Sequence, residues 1–403
     1  MDDSSKLLLQ ALSCALRGVS VPWEAGSVLS WPKLRSLASA HNVLPLVAQA
    51  LWDSPIAAAE PAPVKSFCVR AKQLVTVQAQ HTGDFLLLYR ELQRRGLSPV
   101  VMKGIVCRSL YPFPEQRPSV DEDLLIAPDE VMVYHEAFLS LGYALVERDI
   151  SVQDAPELSY QHPDSHLYIE LHKYPFPPDS EAYGDCNALF ADALARAVPL
   201  VFLDTTLYTL SPTDHLLFLI CHAYKHFLHS GVGIRQLCDI GMFARRYERE
   251  IDWQRVSDGC ASLRIDRMAA AMFRIAERWL DLPMPQAFAD LTADEAPLLE
   301  DILTAGLYGT EDEDRLHSGT MTLDAVAAGK QGRKRRGLLA TLFPSADSLA
   351  TRYPYLRKRP WLLPWAWLRR AVGYLQNRQN RAGESMRIGE QRIDLLRHYK
   401  VID

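Results

Sequence analysis

Residues 99–126, PVVMKGIVCRSLYPFPEQRPSVDEDLLI, restrict what this chain can fold into more than any other stretch. A short apolar run, Pro99 to Met102, ends on Lys103-Gly104, and the stretch closes on Val120-Asp121-Glu122-Asp123-Leu124-Leu125-Ile126. Two acids at i and i+2 ahead of Leu-Leu-Ile read as the start of a buried strand. Alternate side chains of a strand share a face, so Asp121 and Asp123 project together. Carboxylates that close repel unless a positive charge lies between them. A hard divalent cation with oxygen ligands is the usual solution, and Mg2+ commonly completes its shell with substrate phosphates. Acids in solvent at a strand end give the same pattern, so D-x-D alone decides nothing.

A chain of 403 residues can hold two or three domains with sizeable cores. A net charge of −5 and a pI near 6.2 argue against a general nucleic-acid binder. The acidic start Met1-Asp2-Asp3 and interrupted apolar positions after it predict no secretory signal. No apolar run reaches the roughly 18 residues that suggest a membrane-spanning helix. The seven cysteines form no C-x-x-C pair and read as free thiols of a reducing cytoplasm, the expected location.

Apolar spacing predicts helices over 4–16, 31–51 and about 64–95, with Gly96 as the cap of the last. Strands are expected at 99–103, 120–126, 143–147 and around Ser159. Pro112, Pro114 and Pro118 exclude regular structure in the second half of 104–119. The clearest alternation in the chain is His166-Leu167-Tyr168-Ile169-Glu170-Leu171-His172. It puts Leu167, Ile169 and Leu171 on one face and Glu170 on the polar one. There Glu170 either joins the aspartates or lies in solvent; the strand pattern allows both.

From about residue 200 the chain turns helical and largely stays so, with a short strand allowed at Leu207 to Leu210. Ser211-Pro212-Thr213-Asp214 is a helix start, and the predicted helix 212–229 carries a polar stripe of His215, His222, Lys225, His226 and His229. His222 and His226 stand at i, i+4, the spacing of a zinc pair, but without the glutamate of H-E-x-x-H. Offering Lys225 and a histidine to phosphate suits the stripe better, and histidines buried against carbonyls are the structural alternative. Polar residues 308–335 are expected to form a flexible connection. Residues 330–372 carry eleven Lys or Arg against the single acid Asp347, interleaved with Trp361, Trp365 and Trp367. Such composition suits an anionic surface or an acidic partner. The plainer expectation is a helical tail that packs its tryptophans on the body.

Taken in order, these pieces resemble the uncharacterised nucleotidyltransferase family of the DNA polymerase β superfold. The resemblance is carried by Val101-Met102-Lys103-Gly104, Tyr111-Pro112, Arg117-Pro118, Asp121-x-Asp123-Leu124-Leu125-Ile126 and Glu170-Leu171-His172. Asp214-His215-Leu216-Leu217, His222, Lys225-His226, Arg235 and Asp239 continue it. Leu342-Phe343-Pro344-Ser345 and Arg352-Tyr353-Pro354 end it. It implies an α+β fold, a small mixed sheet flanked by helices with helical additions at both ends. The expected parts are an N-terminal helical region (1–63), the nucleotidyltransferase-like core (64–200), a helical domain completing the pocket (201–310) and a basic, Trp-containing tail (311–403).

The resemblance further implies in-line transfer of a nucleoside monophosphate from an NTP to an acceptor with two metal ions, Mg2+ or Mn2+: Asp121 and Asp123 would hold both, and Glu170 would bind one and help deprotonate the acceptor. Lys103, Arg117, His222 and Lys225 become candidates for binding the nucleotide, and Gly104 lets the backbone approach its phosphates. The acceptor, a small molecule, peptide or protein, is not named by the sequence. Glu122 departs from the pattern. The middle residue of the acid motif faces the core and is normally apolar, so a glutamate there needs a cationic partner, an exposed face or a shifted strand. The alternative function is accordingly a weakened nucleotide- or partner-binding protein, antitoxin-like or a scaffold, on the same fold.

Overall fold

One mixed seven-stranded sheet organises the computed structural model, which describes residues 1–22, 30–147, 150–305, 313–331, 356, 359–376 and 381–403. Its strands are β1 (Val100–Val101), β2 (Asp121–Leu125), β3 (Ala144–Leu145), β4 (Glu157–Gln161), β5 (Tyr168–His172), β6 (Val198–Phe202) and β7 (Thr205–Thr209), in the order β3-β4-β5-β2-β1-β7-β6. The acid motif therefore lies on the central strand. β2 runs parallel to β5 on one side and antiparallel to β1 on the other. Glu122 to Leu125 are all buried, as a strand covered on both faces should be.

Helices surround the sheet on both sides of it in the chain. Before it come α1 (Asp3–Ala15), α2 (Trp31–Ala40), α3 (Leu44–Trp52), α4 (Pro55–Ala59) and α5 (Pro61–Arg94). The single helix expected over 31–51 is two, because Asn42 takes a left-handed backbone (φ 53°) that breaks the ladder. α5 ends as its sequence suggests, with Gly96 at φ 78°. Within the sheet region lie α6 (Ile105–Arg108) and α7 (Val131–Ser140). After it come α8 (Pro212–His229), α9 (Ile234–Arg246), α10 (Trp253–Ser262), α11 (Asp266–Leu280), α12 (Gln286–Ala289), α13 (Ala296–Ala305) and α14 (Glu313–Lys330). The Ser211 side chain caps α8 by accepting from the Asp214 N–H at 3.2 Å.

Two expectations are corrected. Residues 313–330 do not form a flexible connection: they are α14, packed against α8 and the C-terminal helix Arg381–His398. Thr322 donates its hydroxyl to the Leu228 carbonyl, and Gly319 lies so close to the His229 backbone that a Cβ would overlap it. The tail also does not bury all its tryptophans on the body. Trp361 and Trp365 are 70% and 55% exposed. Trp367 packs in a small cluster with Leu356 and Ala366, separate from the main core. Much of 330–372, including the tail motifs around Phe343 and Tyr353, lies outside the described residues. All seven cysteines are buried and free. Among the described residues no helix is long and apolar enough to cross a membrane.

Candidate active site

The parallel register of β2 and β5 sets Asp123 opposite Glu170. Registered partners in neighbouring strands share a face, and residues two apart along a strand do too. Asp121, Asp123, Glu170 and His172 therefore stand on one face of the sheet. β4 pairs antiparallel with β5, Glu157 opposite His172, which adds a fourth carboxylate to that face. His172 sits among three of them: its Nε2 lies 3.2 Å from Asp123 Oδ1 and 3.5 Å from Glu170 Oε2, and its Nδ1 lies 3.3 Å from Glu157 Oε2.

Lys103 closes the other side. Its Nζ lies 3.3 Å from Asp121 Oδ2, 3.1 Å from Asp123 Oδ1 and 3.3 Å from His222 Nε2. Burial alone would favour neutral groups here, yet the charges decide the outcome. Lys103 is held protonated: the nearby Asp121, Asp123 and Glu170 outweigh its desolvation. Burial opposes ionisation of Asp123, but the Lys103 charge and the His172 hydrogen bond hold its carboxyl below the usual carboxylate range. His172 loses by desolvation and gains more from its hydrogen bonds to Asp123 and Glu170, which lift it to about 9. The Glu170 carboxyl is pushed up, chiefly by desolvation, and the Asp123 charge adds to this against the His172 hydrogen bond.

The donor set fits a hard divalent cation. Ligand atoms of Asp123, Glu170 and His172 lie within 4.8 Å of one another, with His172 able to ligate only after losing the proton that Asp123 and Glu170 stabilise. Asp123 Oδ2 is buried and accepts no hydrogen bond, an unusual state for a carboxylate oxygen. In formal charges, four carboxylates (Asp121, Asp123, Glu157, Glu170) face two cations (Lys103, His172), a deficit of two. Oxygen donors in this number suit Mg2+ or Mn2+ better than zinc. Asp121 stands outside the 4.8 Å group and reaches it through Lys103.

Glu122 points to the opposite face of β2 and has the cationic partner its position requires. Its side chain is 3% exposed and paired with the fully buried Arg108. Its Oε2 also accepts the Ile105 N–H at 2.9 Å. This second bond ties down the turn at Gly104, whose φ of 55° suits glycine and whose missing Cβ leaves room for the Glu122 carboxylate. Thus the acid that looks out of place anchors the segment that carries Lys103.

Arg117 lines the cleft, but Asp239 takes two of its three nitrogens. Nε donates to Asp239 Oδ1 at 2.8 Å and Nη2 to Oδ2 at 2.6 Å, while Tyr111 donates its hydroxyl to Oδ1 at 2.7 Å. A fork so occupied clamps α9 to the 111–117 loop, in place of the free phosphate contact expected of Arg117. The facing wall belongs to α8 and α9, with His222, Lys225, His226 and Arg235 on the cleft. Lys225 makes no ion pair or hydrogen bond with the described residues. His222 and His226 meet edge to face at 4.4 Å, and burial followed by the Lys103 charge keeps both neutral. Among the described residues the acidic group on β2 and β5 is the one set of three ligands close enough for a metal; the His222–His226 pair has no third. The rest of the stripe turns away from the cleft. His215 stacks on Phe243 at 4.7 Å, and His229 Nε2 lies 3.0 Å from the Tyr183 hydroxyl.

Sequence reasoning assigned no role to Glu157 or His172. The alternation that located Glu170 also puts His172 on its face. Glu157 gives no such signal, because its strand is recognisable only once β5 is known to be its neighbour.

The profile of a family described as uncharacterised nucleotidyltransferase matches residues 27–281. No curated protein and no solved structure matches the chain.

Proposed function

The chain belongs to the uncharacterised nucleotidyltransferase family, and we propose that it transfers a nucleoside monophosphate from an NTP to an acceptor hydroxyl or phosphate at the β2–β5 acid cluster. The observation that carries this reading is the register that sets Glu170 beside Asp123. Asp121, Asp123 and Glu170 would hold the divalent cation. When bound, that cation neutralises the triphosphate and stabilises the departing pyrophosphate. In the reaction the acceptor oxygen bonds to the α-phosphorus, and the bond from that phosphorus to the α–β bridging oxygen breaks. Glu170, its carboxyl made more basic by burial, is placed to take the acceptor proton. Lys225 offers an unpaired ammonium to the phosphates, and neutral His222 offers a ring nitrogen. Gly104 lines the cleft, but the room left by its missing Cβ is taken by the Glu122 carboxylate and not by phosphate.

The weakened-site alternative drew on Glu122, and the Arg108 pair removes that reason for it. The deciding experiment incubates the protein with each α-phosphate-labelled NTP, Mg2+ or Mn2+, and a lysate supplying acceptors. Wild type transfers label, while D121N, D123N and E170Q fall to background with their folds intact. Transfer by D123N at the wild-type rate would overturn the reading. Wild type that binds nucleotide but never consumes it, under either metal, would favour the binding protein.

A further inference from the structure

We propose that Lys103 is a tethered counterion: its ammonium fills the space between Asp121 and Asp123 and yields it to a divalent cation far more readily once a triphosphate enters the cleft, so that metal alone binds weakly and metal and nucleotide bind cooperatively. The proposal rests on the nucleotidyltransferase reading and gives Lys103 a role beyond phosphate binding.

The geometry supports it from three sides. The Lys103 ammonium lies 3.3 Å and 3.1 Å from oxygens of the two aspartates. A metal ion bridging those carboxylates would need much the same ground, at oxygen distances near 2.1 Å for Mg2+. Two cations cannot share it, because like charges at such separations repel strongly in a partly buried site. Lys103 is also a side chain that can leave. Its stem is long and flexible, its side chain is 14% exposed, and it lines the cleft. Its backbone is fixed instead: the Met102 N–H donates to the Asp123 carbonyl at 3.0 Å, and the Ile105 N–H is held by Glu122. Motion is thereby confined to the side chain.

The third side is where the ammonium can go. The remaining acids of the cleft already have partners. Asp239 holds Arg117 and Tyr111, while Glu157 and Glu170 hold His172. An ammonium expelled by metal alone would lose two carboxylates and find no unpartnered acid. An incoming triphosphate brings new negative charge into the cleft and supplies the missing partner. Metal binding and nucleotide binding then favour each other, and by linkage the coupling is the same in both directions.

The test is binding of Mn2+ alone, followed by the electron paramagnetic resonance of free Mn2+, to wild type, K103M, K103Q, K103R and D123N. Circular dichroism and thermal melting check each fold. Removing the ammonium should tighten Mn2+ binding by about tenfold or more in K103M. K103R, which keeps the charge, should stay near wild type, and D123N should lose binding. K103Q repeats the measurement if the methionine variant does not fold. Mn2+ binding no tighter in K103M or K103Q than in wild type, with D123N still defective, overturns the counterion role and leaves the metal seat standing. Equal binding by D123N and wild type, or none by any variant, overturns both the seat and the role built on it.

Discussion

Glu122 and Arg108 form an ion pair sealed inside the fold, their side chains 3% and 0% exposed. The pair lies directly beneath the acid cluster, because Glu122 is the residue between Asp121 and Asp123 on β2. Deleting one partner leaves the other charged and buried, which typically destabilises by about 3–5 kcal/mol. Glu122→Ala and Arg108→Ala should each lower the urea midpoint by a corresponding amount. The double variant Glu122→Leu/Arg108→Met removes both charges and keeps volume, so it should recover much of the loss. If each single variant unfolds at the wild-type midpoint, the pair contributes nothing of this size.

Gly104 should not tolerate a side chain. Its backbone, at φ 55° and ψ −113°, lies where L-residues are strained, and a Cβ would overlap the Glu122 carboxylate. Gly104→Ala must therefore displace Glu122 from Ile105 and Arg108 as well as strain the turn. The expected loss is about 2 kcal/mol or more, from strain of about 1–3 kcal/mol plus the disturbed pair. Urea unfolding measures the stability. Mn2+ titration reads the site, where the shifted Lys103 should change the affinity.

How far these features were legible depends on the range of the interaction that makes them. The shared face of Asp121 and Asp123 follows from strand period alone. Their meeting with Glu170 depends on register between strands 47 residues apart in the Asp123–Glu170 pair, and the strand pattern of 166–172 left it open. Arg108 as the partner of Glu122 had no local signal, since it stands on the four-residue helix α6. β6 gives no strand signal, because Pro199 breaks its pattern, which is tolerable because β6 is at the sheet edge. α14 shows no helix signal in the sequence because its buried positions include Ser318, Gly319, Thr322 and Ala325, small or polar residues that make no apolar stripe. Their value lies in close approach to α8, which appears only once α8 is in place.

That close approach is testable at Gly319. A Cβ there would overlap the His229 carbonyl oxygen and crowd its carbonyl carbon and Cα, all backbone atoms unable to swing aside. Gly319→Ala should push α14 off α8 and weaken the Thr322 bond to the Leu228 carbonyl. Overpacking of this kind typically destabilises by about 1–3 kcal/mol. The melting temperature should fall, while Mn2+ binding by the folded variant stays at the wild-type level. An unchanged melting temperature would mean that α14 does not pack so closely.

His215 gives the fold a defined acid sensitivity. It is fully buried, and desolvation, only partly offset by the charge of Asp239, pulls it from 6.5 down to about 3. Its Nδ1 lies 3.1 Å from Thr209 Oγ1, and that hydroxyl also donates to the Val101 carbonyl at 2.7 Å. With the hydroxyl proton so engaged, Nδ1 is the donor, and the buried Nε2, which has no partner, is the nitrogen that would have to take a proton. Between pH 6.5 and about 3 the unfolded chain binds that proton and the folded chain does not. Stability from this residue is therefore complete above pH 6.5 and is lost as pH falls through the window, by up to about 1.4 kcal/mol per pH unit. His215→Phe keeps the stacking on Phe243 and removes the titration. Urea unfolding at a series of pH values should show a shallower slope for the variant across this range. His222, His226 and His229, also depressed by burial, contribute a slope of the same sign that remains in the variant, and the raised carboxyls of Glu122 and Glu170 oppose it. Equal slopes for the two proteins would mean that His215 is protonated in the folded state as readily as in the unfolded one, and its unpaired Nε2 would then need a partner that the packing around Phe243 does not supply.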